Sequence, residues 1–135
     1  MSTGVLAGKR GLIMGVANDK SIAWGIAQSA AREGAELAFS YQGEVLEKRV
    51  RPLAEKVGAD MLTCDVTDDA SIDALFDTLE EKWGKLDFVV HAIGFSNKDE
   101  LKGEYLNTSR ENFALTMDIS VYSFTAVAQR AARMM

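Results

Sequence analysis

The sequence holds one cysteine, one proline and one histidine in 135 residues, and each scarcity closes off a class of protein. The single cysteine, Cys64, excludes an internal disulfide framework. No second ligand stands near it at metal spacing, so no metal site is expected, and Cys64 reads as a small core residue. The lone His91 sits inside an apolar run with no partner visible in the sequence, which assigns it a structural role. No apolar run approaches the ~18 residues of a membrane span, and Met1 to Arg10 lacks the apolar core of a secretory leader. The net charge is −5 and no basic run offsets it, so neither nucleic acid nor a membrane is an expected partner. Repeats, low-complexity tracts and linkers are also missing. With 47% hydrophobic and 26% charged residues, the expectation is one soluble cytoplasmic domain over residues 1–135.

What is present is organised around Gly11 to Gly43. Leu12-Ile13-Met14 is a short apolar strand that stops at Gly15, and Asn18-Asp19-Lys20 forms a polar loop. Ser21 then opens a helical pattern in which Ile22, Ile26 and Ala30 recur every four residues, with small residues (Ala23, Gly25, Ala27) between them that let a helix lie close to a sheet. Gly34 stands where a helix C-cap glycine belongs, and Ala35 to Ser40 reads as a second strand.

A helix that starts just after a strand presents unpaired N–H groups and the positive end of a dipole, a place for a diphosphate. Gly15 lets the backbone turn with positive φ and approach a phosphate closely, and Ser21 can cap the helix or donate its hydroxyl to a phosphate oxygen. The three-glycine dinucleotide fingerprint is not there; only Gly15 and Gly25 remain of it. Taken alone, the unit fits a nucleotide site or an ordinary crossover.

The next helical pattern carries Leu46, Val50, Leu53 and Val57 on one face, and Pro52 within it is expected to kink or divide the helix near Arg51, at a cost of about 3 kcal/mol. Met61 to Cys64 follows as a third strand. A third helix enters through Thr67-Asp68, with Ile72, Leu75, Phe76, Leu79 and Trp83 on one face and Gly84 closing it. Leu86 to Ile93 is a fourth strand, apolar enough for burial on both faces. The alternation β-α-β-α-β-α-β argues for a Rossmann-like α/β fold, a doubly wound parallel sheet of strand order 3-2-1-4. Ligands of such sheets bind beyond the carboxyl ends of the strands, which here are Gly15, Gln42, Asp65-Val66 and Ile93-Gly94. After a polar loop from Ser96 to Asn107, Thr108-x-x-Glu111 reads as a capping box. The final helix spaces Phe113, Met117, Ser120, Phe124, Val127 and Ala131 as a core stripe or an oligomer seam.

Each rim residue has a binding reading and a plain one. Gln42 stands where a dinucleotide fold places a group for the adenosine ribose, and is otherwise a surface residue. No Arg or Lys at 41 to 44 meets a 2′-phosphate, which favours NADH over NADPH, although Lys48 and Arg49 weigh against it. Asp65 can accept from an adenine amino group or neighbour a helix cap, while Val66 offers a backbone N–H and an apolar edge. Ile93 and Gly94 suit a strand end packed on a ribose, or a plain turn. Tyr105 and Tyr122 receive no catalytic role.

Gly15 to Gly25, Ser40-Tyr41-Gln42, Cys64-Asp65-Val66 and His91-Ala92-Ile93-Gly94-Phe95 together resemble the NADH-dependent enoyl-[acyl-carrier-protein] reductases of bacterial type II fatty-acid synthesis, a divergent branch of the short-chain dehydrogenase/reductases. G-x5-S-I-A-x-G replaces the ordinary T-G-x-x-x-G-x-G of that superfamily, and His-Ala-Ile-Gly-Phe replaces its Asn-Ala-Gly. The resemblance implies that Gly15, Ser21, Ile22, Gln42, Asp65, Val66 and Ile93 bind NADH and that Ser96 contacts the acyl substrate. It also implies an enoyl-acyl carrier protein as substrate and a homo-oligomer, tetrameric by analogy. The family's Tyr-x6-Lys pair lies on the helix after strand 5, so the catalytic tyrosine and lysine are expected beyond Met135, with this chain the N-terminal part of a longer enzyme and inactive alone. An ordinary carbonyl or alcohol oxidoreductase and a non-catalytic nucleotide-binding module are the rival readings.

Overall fold

The computed structural model describes residues 4–135; Met1 to Thr3, on which part of the leader reading falls, lie outside the described residues. Four parallel strands, β1 (Arg10–Met14), β2 (Glu36–Tyr41), β3 (Asp60–Thr63) and β4 (Phe88–His91), form one sheet of order β3-β2-β1-β4. Met14 is in register with Ser40 of β2 and His91 of β4, and Tyr41 with Thr63 of β3, so all four strands end on one rim. Between them run α1 (Ile22–Arg32), α2 (Glu44–Val57) and α3 (Asp69–Trp83).

Side-chain alternation along the central strands divides the core into two layers. Leu12, Met14 and Ala38 pack with Ile72, Leu75 and Leu79 of α3 on one face. Ile13, Leu37 and Phe39 pack with α1 and α2 on the other. The sheet is thus sandwiched between helices, and β1 and β2 are apolar on both faces because both are covered. β4 is shorter than its apolar run and only partly buried, since β1 is its one partner in the sheet. At its base Leu86 donates its N–H to Met134 O and Asp87 accepts from Arg10 N.

On α1 the isoleucines are not the core anchors: Ile22 is 82% exposed and a Cβ on Gly25 would meet nothing within 4 Å. The buried face is Ala23, Trp24, Ala27 and Ala30, three alanines that let the helix sit close and one indole edge-on to Phe39. In α2, Pro52 does not divide the helix, which runs unbroken from Glu44 to Val57. Pro52 and Lys48, whose carbonyl loses its helical donor to the ring, both lie on the exposed face, where solvent can satisfy that oxygen.

The last helix is two helices joined by a π-turn: α4 (Arg110–Met117), the turn Asp118–Tyr122, and α5 (Ser123–Ala131). The extra residue in the turn shifts the phase of the apolar stripe. Val127 and Ala131 are buried as expected, whereas Phe113, Met117 and Phe124 are about half exposed or more. The cap is Ser109, not Thr108: Ser109 Oγ accepts from Asn112 N, while the Thr108 hydroxyl donates to Tyr105 O. The carboxylate of this cap comes from Glu100, which takes both the N–H and the hydroxyl of Ser109. Those bonds hold the Glu100 carboxyl below its ordinary pKa.

Candidate functional site

A groove of about 470 Å³ runs along the rim where the four strands end. At the exit of β1, Gly15 has φ 111°, and a Cβ there would stand 2.1 Å from the carbonyl oxygen of Ala92. Only glycine combines that dihedral with so close an approach of the β4 exit. Beyond it, Ser21 does not cap α1 with its side chain. Its Oγ instead accepts from Ala17 N at 3.0 Å and Asn18 N at 3.1 Å, which uses its acceptor side and leaves its proton to donate. No side chain caps the helix and its first turn carries no acid, so the N–H groups of Ile22 and Ala23 remain open. Ile22 therefore offers its backbone here, its side chain standing in solvent.

At the exit of β2, Gln42 is exposed and lines the groove, followed by Gly43 at φ 87°. At the exit of β3, one Asp65 oxygen, Oδ1, accepts from the N–H and the hydroxyl of Thr67. The other takes no hydrogen bond from the described residues. Val66 packs on the core with its edge to the groove. Cys64 lies beneath, buried as expected, and burial pushes its thiol up to about 11, with a hydrogen bond from Ser71 working the other way.

The β4 exit is pinned to the helix that follows. Phe95 N donates to Ser120 Oγ at 3.0 Å, and Asn97 N donates to Asn112 Oδ1 at 2.8 Å. Ser96 Oγ accepts from Asn112 Nδ2 and from Thr116 Oγ1. His91 is half buried, its ring edge-on to Phe124 and its Nε2 2.7 Å from Ser123 Oγ. Burial holds its pKa below the ordinary imidazole value.

Gly15, Gln42, Asp65, Val66 and Ile93 thus line one groove; Ser21, joined to it through Ala17, and Ile22 at the start of α1 are not among its lining residues. Ser96 stands apart, bonded to α4. Leu46, Leu115 and Ile119 also line the groove and were not anticipated. The π-turn that brings Ile119 in has no propensity signature; the one hint was Ser120, a polar residue in an apolar stripe. A larger hollow of about 830 Å³ lies elsewhere, between α1 and the free edge of β4. It is open and mostly apolar, and no strand end points into it. Among the described residues no His, Cys, Asp and Glu gather as a metal site, and no helix is long and apolar enough to cross a membrane.

The model of the family described as enoyl-(acyl carrier protein) reductase matches residues 15–135. The chain belongs to that family. Among relatives, the enoyl-[acyl-carrier-protein] reductase [NADH] 1 of Rhizobium meliloti is 67% identical over 135 residues, covering 99% of this chain and 50% of that protein. Among solved structures, FabI from Candidatus Liberibacter asiaticus superposes with a TM-score of 0.95 at 57% identity, over 100% of this chain and 52% of that one. The family member from Anaplasma phagocytophilum, solved in complex with NAD, has a TM-score of 0.93 at 53% identity, over 100% and 53% of the two chains. The doubly wound fold is shared along the whole chain. The chain spans about half the length of the family members it matches.

Proposed function

We propose that this chain forms the NADH-binding part of an enoyl-[acyl-carrier-protein] reductase, an oxidoreductase of fatty-acid synthesis that converts a trans-2-enoyl thioester to the saturated acyl thioester. One observation carries the reading: the open N–H groups of Ile22 and Ala23 follow directly on the loop whose Gly15, Val16 and Ala17 line the same groove as Gln42, Asp65 and Ile93. That arrangement has the parts a dinucleotide needs. The α1 N-terminus and the Ser21 hydroxyl bind the diphosphate. Gln42 bonds the adenosine ribose without adding charge, the remaining Asp65 oxygen and the Val66 N–H meet the adenine, and Ile93 packs against the second ribose.

When bound, NADH supplies the hydride that goes to the β-carbon of the enoyl thioester. The chain's own part is to orient that cofactor along the rim and to keep water off one side of it with Ile93, Leu115 and Ile119. The enolate left by hydride addition needs a positioned donor, worth a few kcal/mol in such sites. The tyrosine and lysine that would provide it are assigned to the half of the family that this chain does not span. Ser96 is proposed to reach the acyl group, with Asn112 and Thr116 fixing its oxygen and its proton left to donate.

The acyl carrier protein as partner, the cytoplasm as location and a homotetramer belong to the same proposal. Phe113, Val121 and Phe124 are exposed apolar side chains, which supports an oligomer. Titration with NADH, followed by cofactor fluorescence, is expected to saturate, and NADPH to bind more weakly. In a crotonyl-thioester assay the 135-residue chain is expected to give no turnover. Absence of NADH binding, or turnover by this chain alone, would contradict the proposal.

A further inference from the structure

β4 ends at His91, directly before the segment that walls the groove, and the π-turn of Asp118–Tyr122 packs against that segment. A π-turn leaves the helix's ordinary i to i−4 pattern, costs stability, and recurs where function needs a particular placement. Here the Ser123 N–H reaches Asp118 O, five residues back, and the Ser123 hydroxyl meets Ile119 O at 2.6 Å. Ile119 O is the carbonyl that an α-helical Ser123 N–H would have bonded. His91 Nε2 stands 2.7 Å from the same hydroxyl.

The proton positions follow from counting. Two oxygens 2.6 Å apart need a proton between them, and Ser123 has the only one to give. Toward His91 it can therefore only accept, so Nε2 carries the hydrogen. The chain of donation runs from His91 N–H to Ser123 O–H to Ile119 C=O. Ser123 is fully buried, and no water can replace a lost partner there. Ser120, inside the same turn, adds a second tie by accepting from Phe95 N and donating to Phe95 O at 3.2 Å.

We infer that His91 and Ser120 are positioning residues for the cofactor: they fix the π-turn against the β4 exit so that Ile119 and Ile93 wall the end of the groove farthest from Gln42. The inference rests on the cofactor reading above. In sheets of this order a dinucleotide crosses the switch point, its adenosine over β2 and β3 and its other half beside β4. His91 does not itself line the groove and acts through Ser123. Its loss should be felt at one end of the ligand only.

The test compares dissociation constants of NADH and of ADP, which lacks the nicotinamide half, on the 135-residue chain. His91→Phe and Ser120→Ala are each expected to weaken NADH roughly fivefold to tenfold and to leave ADP within about twofold, from the loss of the His91 hydrogen bond or of the two that Ser120 makes with Phe95 at the far wall. His91→Gln, whose amide N–H can stand in for Nε2–H, should restore NADH binding. A plain loss of packing would weaken both ligands together and would not be rescued by glutamine. Equal weakening of both ligands, or NADH binding unchanged in both variants, overturns the inference. A wild-type chain that binds neither ligand overturns the cofactor reading first, and the inference with it.

Discussion

The two halves of the rim are built on opposite plans. Around β1 and the start of α1 groups are left open: the N–H groups of Ile22 and Ala23, the undonated proton of Ser21, and a backbone bared by Gly15. Around β4 the amides of Phe95 and Asn97 and the Ser96 oxygen are committed to α4 or the π-turn, and what faces the groove is largely apolar. Open donors suit the charged centre of a dinucleotide, whose phosphates complete bonds the protein leaves unmade. A committed scaffold suits the reacting end, where placement decides the rate. The difference explains why the turn can be small and polar while the wall needs buried side chains such as Asn112 and Ser123.

The sharpest way to break the comparison is at Gly15, where the two halves touch. Gly15→Ala puts a Cβ 2.1 Å from Ala92 O at φ 111°, and the strain and clash together should cost about 2–4 kcal/mol and abolish NADH binding. Urea unfolding and a cofactor titration check it; a variant with wild-type stability would separate the halves. Next comes Asn112→Ala, which strands the Asn97 N–H and loosens Ser96, at about 1–3 kcal/mol. Hydrogen exchange should speed up at Asn97 and Phe95 and stay unchanged at Ala17 and Asn18.

Ser21→Ala should do the reverse. It frees the Ala17 and Asn18 amides, costs about 1 kcal/mol of stability, and weakens NADH and ADP alike by roughly tenfold, since both ligands share the diphosphate. Smaller still is the response of Cys64, whose thiol, pushed up to about 11 by burial, should resist alkylation at pH 8 and become slower when NADH fills the groove above it. The smallest effect concerns His91. Burial holds it below its ordinary value, so the folded chain takes up a proton less readily than the unfolded chain. Stability should be fully present above pH ~6.5 and decline as the pH falls below it, and His91→Gln should flatten that slope in a pH series of unfolding midpoints.

The strand order and the groove at the strand ends were legible in the sequence because both follow from coarse patterns: apolar runs long enough for buried strands, and glycine or polar residues where each run stops. The positions of Gly15, Gln42, Asp65 and Ile93 came directly from those ends. Helix faces were harder. On α1 the sequence pattern picks out Ile22, Ile26 and Ala30 at steps of four, yet close packing on the sheet buries Ala23, Trp24, Ala27 and Ala30 and leaves Ile22 in solvent. Thr108 was read as a cap from a local motif, whereas the carboxylate that completes the cap, Glu100, lies nine residues before Ser109, beyond the reach of a local motif. The π-turn was invisible for a related reason: it is stabilised by His91 and Phe95, both far from it in the chain.

Hydrogen exchange on the chain with and without NADH tests the central claim most directly, because it reports where the cofactor lies without requiring turnover. The account predicts that NADH slows exchange at Ile22 and Ala23, whose N–H groups are open in the structure, and at Val66 and Gly94 along the rim, while Ser29, Asp87 and Phe88 in the hollow between α1 and β4 are unaffected. Protection confined to Ser29, Asp87 and Phe88, or no protection at Ile22 and Ala23 at saturating NADH, would contradict it.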